Sequence, residues 1–172
     1  MYETCSESDD GTSGRQLSAQ EQVDPPRPVH RRGARNRVHR LDLDNFKAIN
    51  DERGHLEGDR ALTMVAEVLT SQFRASDLVA RLGGDEFGVL LPDTGGEAAR
   101  ASLERVRDLV AAEMRRNQWE VTVSAGAVSY VTAPVNLGEA IKEADDLMYR
   151  AKEHGKDQVL VEAREPQTTK GG

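Results

Sequence analysis

Four carboxylates carry the clearest chemical signal in this chain. Asp42 and Asp44 stand two residues apart at the end of a short strand-like run, and Asp85 and Glu86 follow the glycines Gly83 and Gly84. In a strand, residues i and i+2 share a face, so Asp42 and Asp44 project together. Gly83-Gly84-Asp85-Glu86 joins two short β-prone runs and reads as a hairpin tip, with glycines where the turn needs freedom in φ. If that hairpin lies beside the first strand, Asp42 and Asp85 converge. Hard carboxylate oxygens with no lysine between them suit Mg²⁺, which completes its shell with substrate phosphates. From the residues alone, solvated surface acids and a plain type I′ turn stay open as the simpler readings.

The elements that must hold these acids follow from periodicity. Val38–Asp44 reads as a strand ending in acids. Arg60–Arg74 places Leu62, Val65, Ala66, Leu69 and Phe73 at helical spacing. Leu78–Leu82 and Phe87–Leu91 are the hairpin strands. Pro92-Asp93-Thr94 offers a helix start, and Leu103, Val106, Val110 and Met114 face inward along that helix. Val121–Val128 is a strand with Val121, Val123, Ala125 and Ala127 on one face. Asn136 with Glu139 resembles a capping box that opens a helix through Lys152, and Leu137, Ile141, Ala144 and Met148 mark its buried side. Gln158–Glu162 closes as a last strand. The expected fold class is α/β (α+β), a mixed central sheet of about five strands flanked by helices. Met64, Met114 and Met148 read as core filler and Trp119 as a packing residue.

Composition bounds what this fold can do. The chain has 172 residues, enough for one domain of ordinary size. Aromatics make up only 4%, so the core must be built from Leu, Val, Ile and Ala. A formal net charge of −7 argues against a general nucleic-acid coat protein. Cys5 is the only cysteine, which excludes an internal disulfide or a cysteine zinc cluster and fits a reducing cytoplasm. No apolar run approaches the roughly 20 residues of a membrane span. Residues 1–36 lack apolar periodicity and read as a disordered polar and basic segment, residues 37–163 as one domain, and residues 164–172 as a disordered tail. The arginines between Arg27 and Arg40 have no interleaved aromatics, so no nucleic-acid or membrane partner is expected.

An ordered set of motifs sharpens this reading. Arg81-Leu82-Gly83-Gly84-Asp85-Glu86-Phe87 contains the five letters GGDEF intact. Upstream stand Asp42-Leu43-Asp44-Asn45-Phe46-Lys47-Ala48-Ile49-Asn50-Asp51, then Gly54-His55 and Gly58-Asp59. Downstream stand Thr122-Val123-Ser124-Ala125-Gly126, Ala144-Asp145, Tyr149-Arg150-Ala151-Lys152 and Gly155-Lys156. Together they resemble the GGDEF domain family, the bacterial diguanylate cyclases that join two GTP molecules into cyclic di-GMP. The resemblance implies a nucleotidyl-cyclase, polymerase-palm-like fold and a Mg²⁺ (or Mn²⁺) cofactor. It also implies a homodimer, because each domain binds one GTP and synthesis needs two face to face.

Carried over position by position, the resemblance makes Asp42, the Leu43 carbonyl and Asp85 metal ligands. Asp85 and Glu86 become the catalytic acids, with Asp85 helping to deprotonate the attacking 3′-hydroxyl. Gly83 and Gly84 would let backbone approach the phosphates. Asn50 and Asp59 would bind guanine, and the permanent acceptor at Asp59 would favour GTP over ATP. Phe46 and Lys47 belong to the same substrate segment, and Lys47, Lys152 and Lys156 would neutralise β- and γ-phosphates. Lys156 stands where the family commonly has arginine, so the charge is kept and the bidentate fork lost. Arg74-Ala75-Ser76-Asp77 matches the family's R-x-x-D inhibitory site, and Arg105 falls where a second arginine of that site is often found. That site would bind cyclic di-GMP as product inhibitor; an i,i+3 surface ion pair is the plainer alternative.

The family pattern breaks upstream of Leu41. The usual D-x-L-T-G-L-x-N-R motif and a full helix before the first strand are not found, and Arg37-Val38-His39-Arg40 replaces an apolar run. A central strand covered on both faces should be apolar, and buried unpaired arginines would cost several kcal/mol. These breaks read as a truncated or frame-shifted start, with one sheet face left less covered. The alternative function is therefore a truncated, catalytically inactive module that binds cyclic di-GMP or GTP as a sensor.

Overall fold

The computed structural model describes residues 36–131 and 136–164. Strand β1 (Asn36–Asp44) is followed by helices α1 (Phe46–Arg53) and α2 (His55–Gln72), strands β2 (Leu78–Gly83) and β3 (Glu86–Leu91), helix α3 (Gly96–Arg116), strand β4 (Thr122–Tyr130), helix α4 (Leu137–Glu153) and strand β5 (Val159–Arg164). The five strands form one mixed sheet in the order β2-β3-β1-β4-β5. β1 lies at its centre, antiparallel to β3 and β4, and β5 runs parallel to β4.

Alternation along β1 sorts its side chains between two layers. Leu41 and Leu43 enter the larger core with Leu62, Val65 and Leu69 of α2 and Leu103, Val106 and Val110 of α3. Val38 faces the other way, into a smaller cluster with Val128 of β4 and Ala140, Ala144 and Leu147 of α4. Helix α4 can lie this close to the sheet because β4 carries Gly126. A Cβ there would stand 2.2 Å from both the Ala144 oxygen and the Met148 nitrogen. The inward residues expected on α3 and β4 are all buried, and Met114 and Met148 are core residues. Trp119 is buried too, with its indole N–H unpartnered.

Several expectations need correction. Helix α1 is absent from the periodicity reading, because only Phe46 and Ile49 of its eight residues are buried. Two apolar positions are too few to generate a periodic signal. Helix α2 likewise begins at His55 rather than at Arg60. On α4 the buried stripe runs through Ala140, Ala144, Leu147, Met148 and Ala151, whereas Leu137 and Ile141 are 50% and 36% exposed. The small residues, not the large ones, face the sheet where helix and β4 backbone approach most closely. Asn136 caps α4 by accepting from the Gly138 N–H at 2.9 Å. Asn36 and Arg164, read as outside the domain, each lie in a strand. The disorder expected for the rest of 1–36 and of 164–172 falls outside the described residues.

The first strand also answers the question its arginines raised. Arg37 and Arg40 are not unpaired. The Arg37 Nε donates to the Thr94 carbonyl at 2.5 Å, and Arg40 bridges Glu86 and Asp145. His39 is the residue left unsatisfied: it is 1% exposed and neither ring nitrogen has a hydrogen-bond partner. On the α4 side, Leu78 and Leu82 of β2 are 46% and 47% exposed. Together with Leu137 and Ile141 they rim a shallow groove floored by Val38, Ala80, Gly88 and Leu90. One sheet face is thus incompletely covered among the described residues.

Candidate active site

Strand pairing brings the acids together. β3 runs alongside β1 with Asp42 opposite Glu86, and the Leu43 N–H donates to the Asp85 carbonyl at 3.3 Å. The GGDEF hairpin tip therefore sits against the C-terminal end of the central strand. Its turn is not type I′, which needs positive φ at both loop residues. Only Gly84 has positive φ (33°), and the register shifts between Arg81 and Gly83, a bulge that re-aims the tip. The Arg81 guanidinium donates to the Gly84 carbonyl at 2.7 and 3.0 Å and fixes the loop.

Asp42 is 5% exposed and pairs with Lys152 of α4, whose Nζ lies 2.6 Å from Oδ1. Burial raises its carboxyl above the usual carboxylate range. The bond to Lys152 pulls it down, and the charges of Asp85 and Glu86 push it up. A divalent cation here would relieve the repulsion among these three acids. The donor set of Asp42, Asp85 and the Leu43 carbonyl is all hard oxygen. Among the described residues no three His, Cys, Asp or Glu side chains gather closely enough to hold a metal alone. An all-oxygen donor set suits a hard divalent cation.

Asp44, although it shares a face with Asp42, has a different task. Its carboxylate accepts from the Thr122 hydroxyl at 2.7 Å, from the Ser124 hydroxyl at 2.8 and 3.0 Å, and from the Asp157 N–H at 3.2 Å. With its lone pairs engaged, Asp44 ties β1 to β4 and to the loop after α4. Lys156 sits in that loop and its Nζ donates to Asn45 Oδ1 at 2.7 Å. Lys152 and Lys156 thus both reach the end of β1. Lys47 is exposed on α1 and lines a cleft of about 540 Å³ with Asn45, Arg53 and Trp119.

Asn50 is held at the contact between α1 and α2. A Cβ at Gly58 would meet Asn50 Oδ1 at 2.1 Å and the Phe46 ring at 3.2 Å, so the absence of a side chain at position 58 is what seats Asn50. Phe46 is buried in the core rather than offered to solvent. Asp59 is exposed at the mouth of a pocket of about 430 Å³ walled by Leu62, Ala66, Arg81 and Phe87. Asn50 and Lys47 do not line that pocket.

Arg74 and Asp77 form a turn rather than a side-chain ion pair: the Asp77 carboxylate accepts from the Arg74 backbone N–H at 2.8 Å. The guanidinium of Arg74 is left exposed, as is Arg105 on α3. Two contributors were not visible from the sequence as site residues: Gly58, which seats Asn50, and Arg40, which pairs with Glu86. Asp44, singled out beside Asp42 as a candidate acid, instead clamps the sheet. The signal for Arg40 was its misfit as a cation in a central strand.

Comparison with known proteins bears on the family and the fold. The family model described as "Diguanylate cyclase, GGDEF domain" matches residues 18–158, which includes residues upstream of Leu41. Diguanylate cyclase DgcP of Pseudomonas aeruginosa is 43% identical over 136 residues, covering 77% of this chain and 20% of its own length. Diguanylate cyclase DgcM of Escherichia coli is 41% identical over 121 residues, covering 70% of this chain and 29% of its own. The chain therefore spans about a fifth to a third of these relatives. Among solved structures, the GGDEF domain of DgcB from Caulobacter crescentus in complex with c-di-GMP superimposes with a TM-score of 0.66 at 32% identity, covering 75% of this chain and 78% of that one. The active GGEEF domain of a diguanylate cyclase from Vibrio cholerae gives a TM-score of 0.68 at 29% identity, covering 74% and 82%. With its signature hairpin set beside the acidic end of β1 in the same palm-like sheet, this chain belongs to the GGDEF domain family.

Proposed function

We propose that the protein is a diguanylate cyclase that condenses two GTP into cyclic di-GMP and pyrophosphate. The observation that carries this reading is the register of β1 against β3, which sets Asp42 opposite Glu86 and bonds Leu43 to Asp85. Two acids separated by more than forty residues in sequence thereby share one strand end with Lys152 and Lys156. Similarity to diguanylate cyclases from several bacteria supports it.

In this reading Asp42, the Leu43 carbonyl and Asp85 hold Mg²⁺ or Mn²⁺. The ion, when bound, neutralises phosphate charge and raises the acidity of the attacking hydroxyl. Asp85 accepts the 3′-hydroxyl proton, and Glu86 completes the acidic end. Lys152 and Lys156 bind the β- and γ-phosphates, and Gly83 and Gly84 keep the loop free of side chains where phosphate approaches. Asn50 and Asp59 read guanine. Because one domain carries one such site, two domains must face each other to close the ring. Arg74 and Asp77, just before β2, form the product-inhibition site together with Arg105. No helix among the described residues is long and apolar enough to cross a membrane. The pool of GTP that would feed this chemistry lies in the cytoplasm.

The test is incubation of purified protein with GTP and Mg²⁺ or Mn²⁺, with the product identified by mass. Cyclic di-GMP should form, and Asp42→Asn or Asp85→Asn should reduce it by about 100-fold or more, since each removes a charge worth several kcal/mol at the metal site. Wild-type protein that binds GTP or cyclic di-GMP and yields no product would establish the sensor reading instead. Undiminished turnover in either variant would refute the assignment of the acids.

A further inference from the structure

Arg40 has no part in the roles above, and its place in the sheet is unusual. It stands in the central strand, opposite Gly88 on β3 and Gly126 on β4, with its side chain only 12% exposed. Its Nη2 lies 3.1 Å from Glu86 Oε2 and 3.1 Å from Asp145 Oδ1, and its Nε donates to Asp145 at 3.1 Å. A guanidinium can hold two carboxylates at once because its donors are fixed in a planar fork.

The consequence falls on the acidic site. Arg40 and Asp42 share a strand face two residues apart, about 7 Å along the chain. Asp42 has Lys152 as its partner and Glu86 has Arg40. Two of the three acids at this strand end are therefore already paired with cations of the protein itself, Arg40 being shared with Asp145. Each of these cations also repels an incoming metal ion.

We propose that Arg40 is a positioning residue that parks the Glu86 carboxylate and, through its charge, keeps divalent-cation affinity low until a nucleotide contributes its phosphates. This proposal rests on the metal-site reading above and adds a residue outside it. It makes cation loading depend on nucleotide: Arg40 and Lys152 offset two of the four carboxylates Asp42, Asp85, Glu86 and Asp145, and the phosphates supply the further negative charge that draws the ion in.

The experiment is titration of the nucleotide-free protein with Mn²⁺, followed by calorimetry or by the loss of the free-ion paramagnetic resonance signal. Arg40→Met fills similar volume without charge and should bind Mn²⁺ at least about five- to tenfold more tightly: the lost repulsion between one cation and a divalent ion at this range in a water-like dielectric is worth that much, and the freed Glu86 carboxylate adds to it. Arg40→Lys keeps the charge and should stay within about twofold of wild type. The gain from Arg40→Met should shrink when Glu86→Gln is also present, because a freed but uncharged side chain adds no ligand. Thermal melts of each variant confirm that it is folded before titration. Equal Mn²⁺ affinity in wild type and Arg40→Met overturns the proposal. So does a gain undiminished by Glu86→Gln, or binding that survives Asp42→Asn. Absence of cyclic di-GMP synthesis would overturn the enzymatic reading without touching this comparison, which uses no GTP.

Discussion

Replacing His39 by leucine should stabilise the protein and flatten its response to acid. His39 sits mid-strand on β1 between Val89 and Ala127, on the face packed by α2 and α3. It is 1% exposed and neither ring nitrogen finds a partner. Even a neutral imidazole carries one donor and one acceptor, and a buried polar group left unsatisfied costs about 1–3 kcal/mol. Leucine is of similar size and has nothing to satisfy, so His39→Leu should gain about 1–3 kcal/mol at neutral pH. Burial, reinforced by the charge of Arg37, lowers the imidazole pKa from 6.5 to about 3. The sign follows from linkage. The unfolded chain takes up a proton near pH 6.5 that the folded chain refuses until about pH 3, so stability is full above 6.5 and falls as pH drops through that window. The slope is about 1.4 kcal/mol per pH unit, which amounts to about 2 kcal/mol by pH 5. Urea denaturation of both proteins at pH 7.5 and pH 5.0 measures it. The carboxylates contribute equally to both proteins, so the difference isolates His39. If the variant is no more stable at pH 7.5 and loses as much stability on acidification as wild type, then His39 is not buried and unpaired in solution, and the packing of β1 between two covered faces is wrong at this position.

Three further outcomes test the site. Gly58→Ala places a methyl where Asn50 Oδ1 stands 2.1 Å away, so it should raise the KM for GTP and destabilise the fold by about 1–3 kcal/mol; unchanged kinetics and melting would mean that Asn50 is not seated by this contact. Asp59→Ser should let ATP compete with GTP, because the permanent acceptor at the pocket mouth is gone; competition binding against labelled GTP reads this directly, and equal use of both nucleotides by wild type would dispose of the guanine-site assignment. Arg74→Ala should weaken cyclic di-GMP binding by about 1–3 kcal/mol through loss of charge-assisted bonds. Since Asp77 holds the Arg74 backbone rather than its side chain, the turn should survive this change, and calorimetry that shows equal affinity would argue against an inhibitory site at this turn.

What could be read from the sequence was local or recurrent. Helical spacing of apolar residues located three of the four helices among the described residues, and short β-prone runs bounded by turn residues located the five strands. The ordered motifs from Asp42 to Lys156 named the family, and the comparisons agree. The misfit of Arg37, His39 and Arg40 in a strand due to be covered on both faces was also plain at that level. What the cations do there was not, because a partner far away in the chain leaves no trace in local periodicity. Only the assembled sheet gives Arg40 its two acids, 46 and 105 residues away, and leaves His39 with none. Helix α1 was missed for a related reason: with two buried residues, it is stabilised by its contact with α2 at Gly58 and not by a pattern of its own. The separate tasks of Asp42 and Asp44 were likewise decided by tertiary structure. Two identical residues on one strand face differ because β4 and the loop after α4 supply Asp44 with donors, while Asp42 meets a single lysine and the repulsion of Asp85 and Glu86.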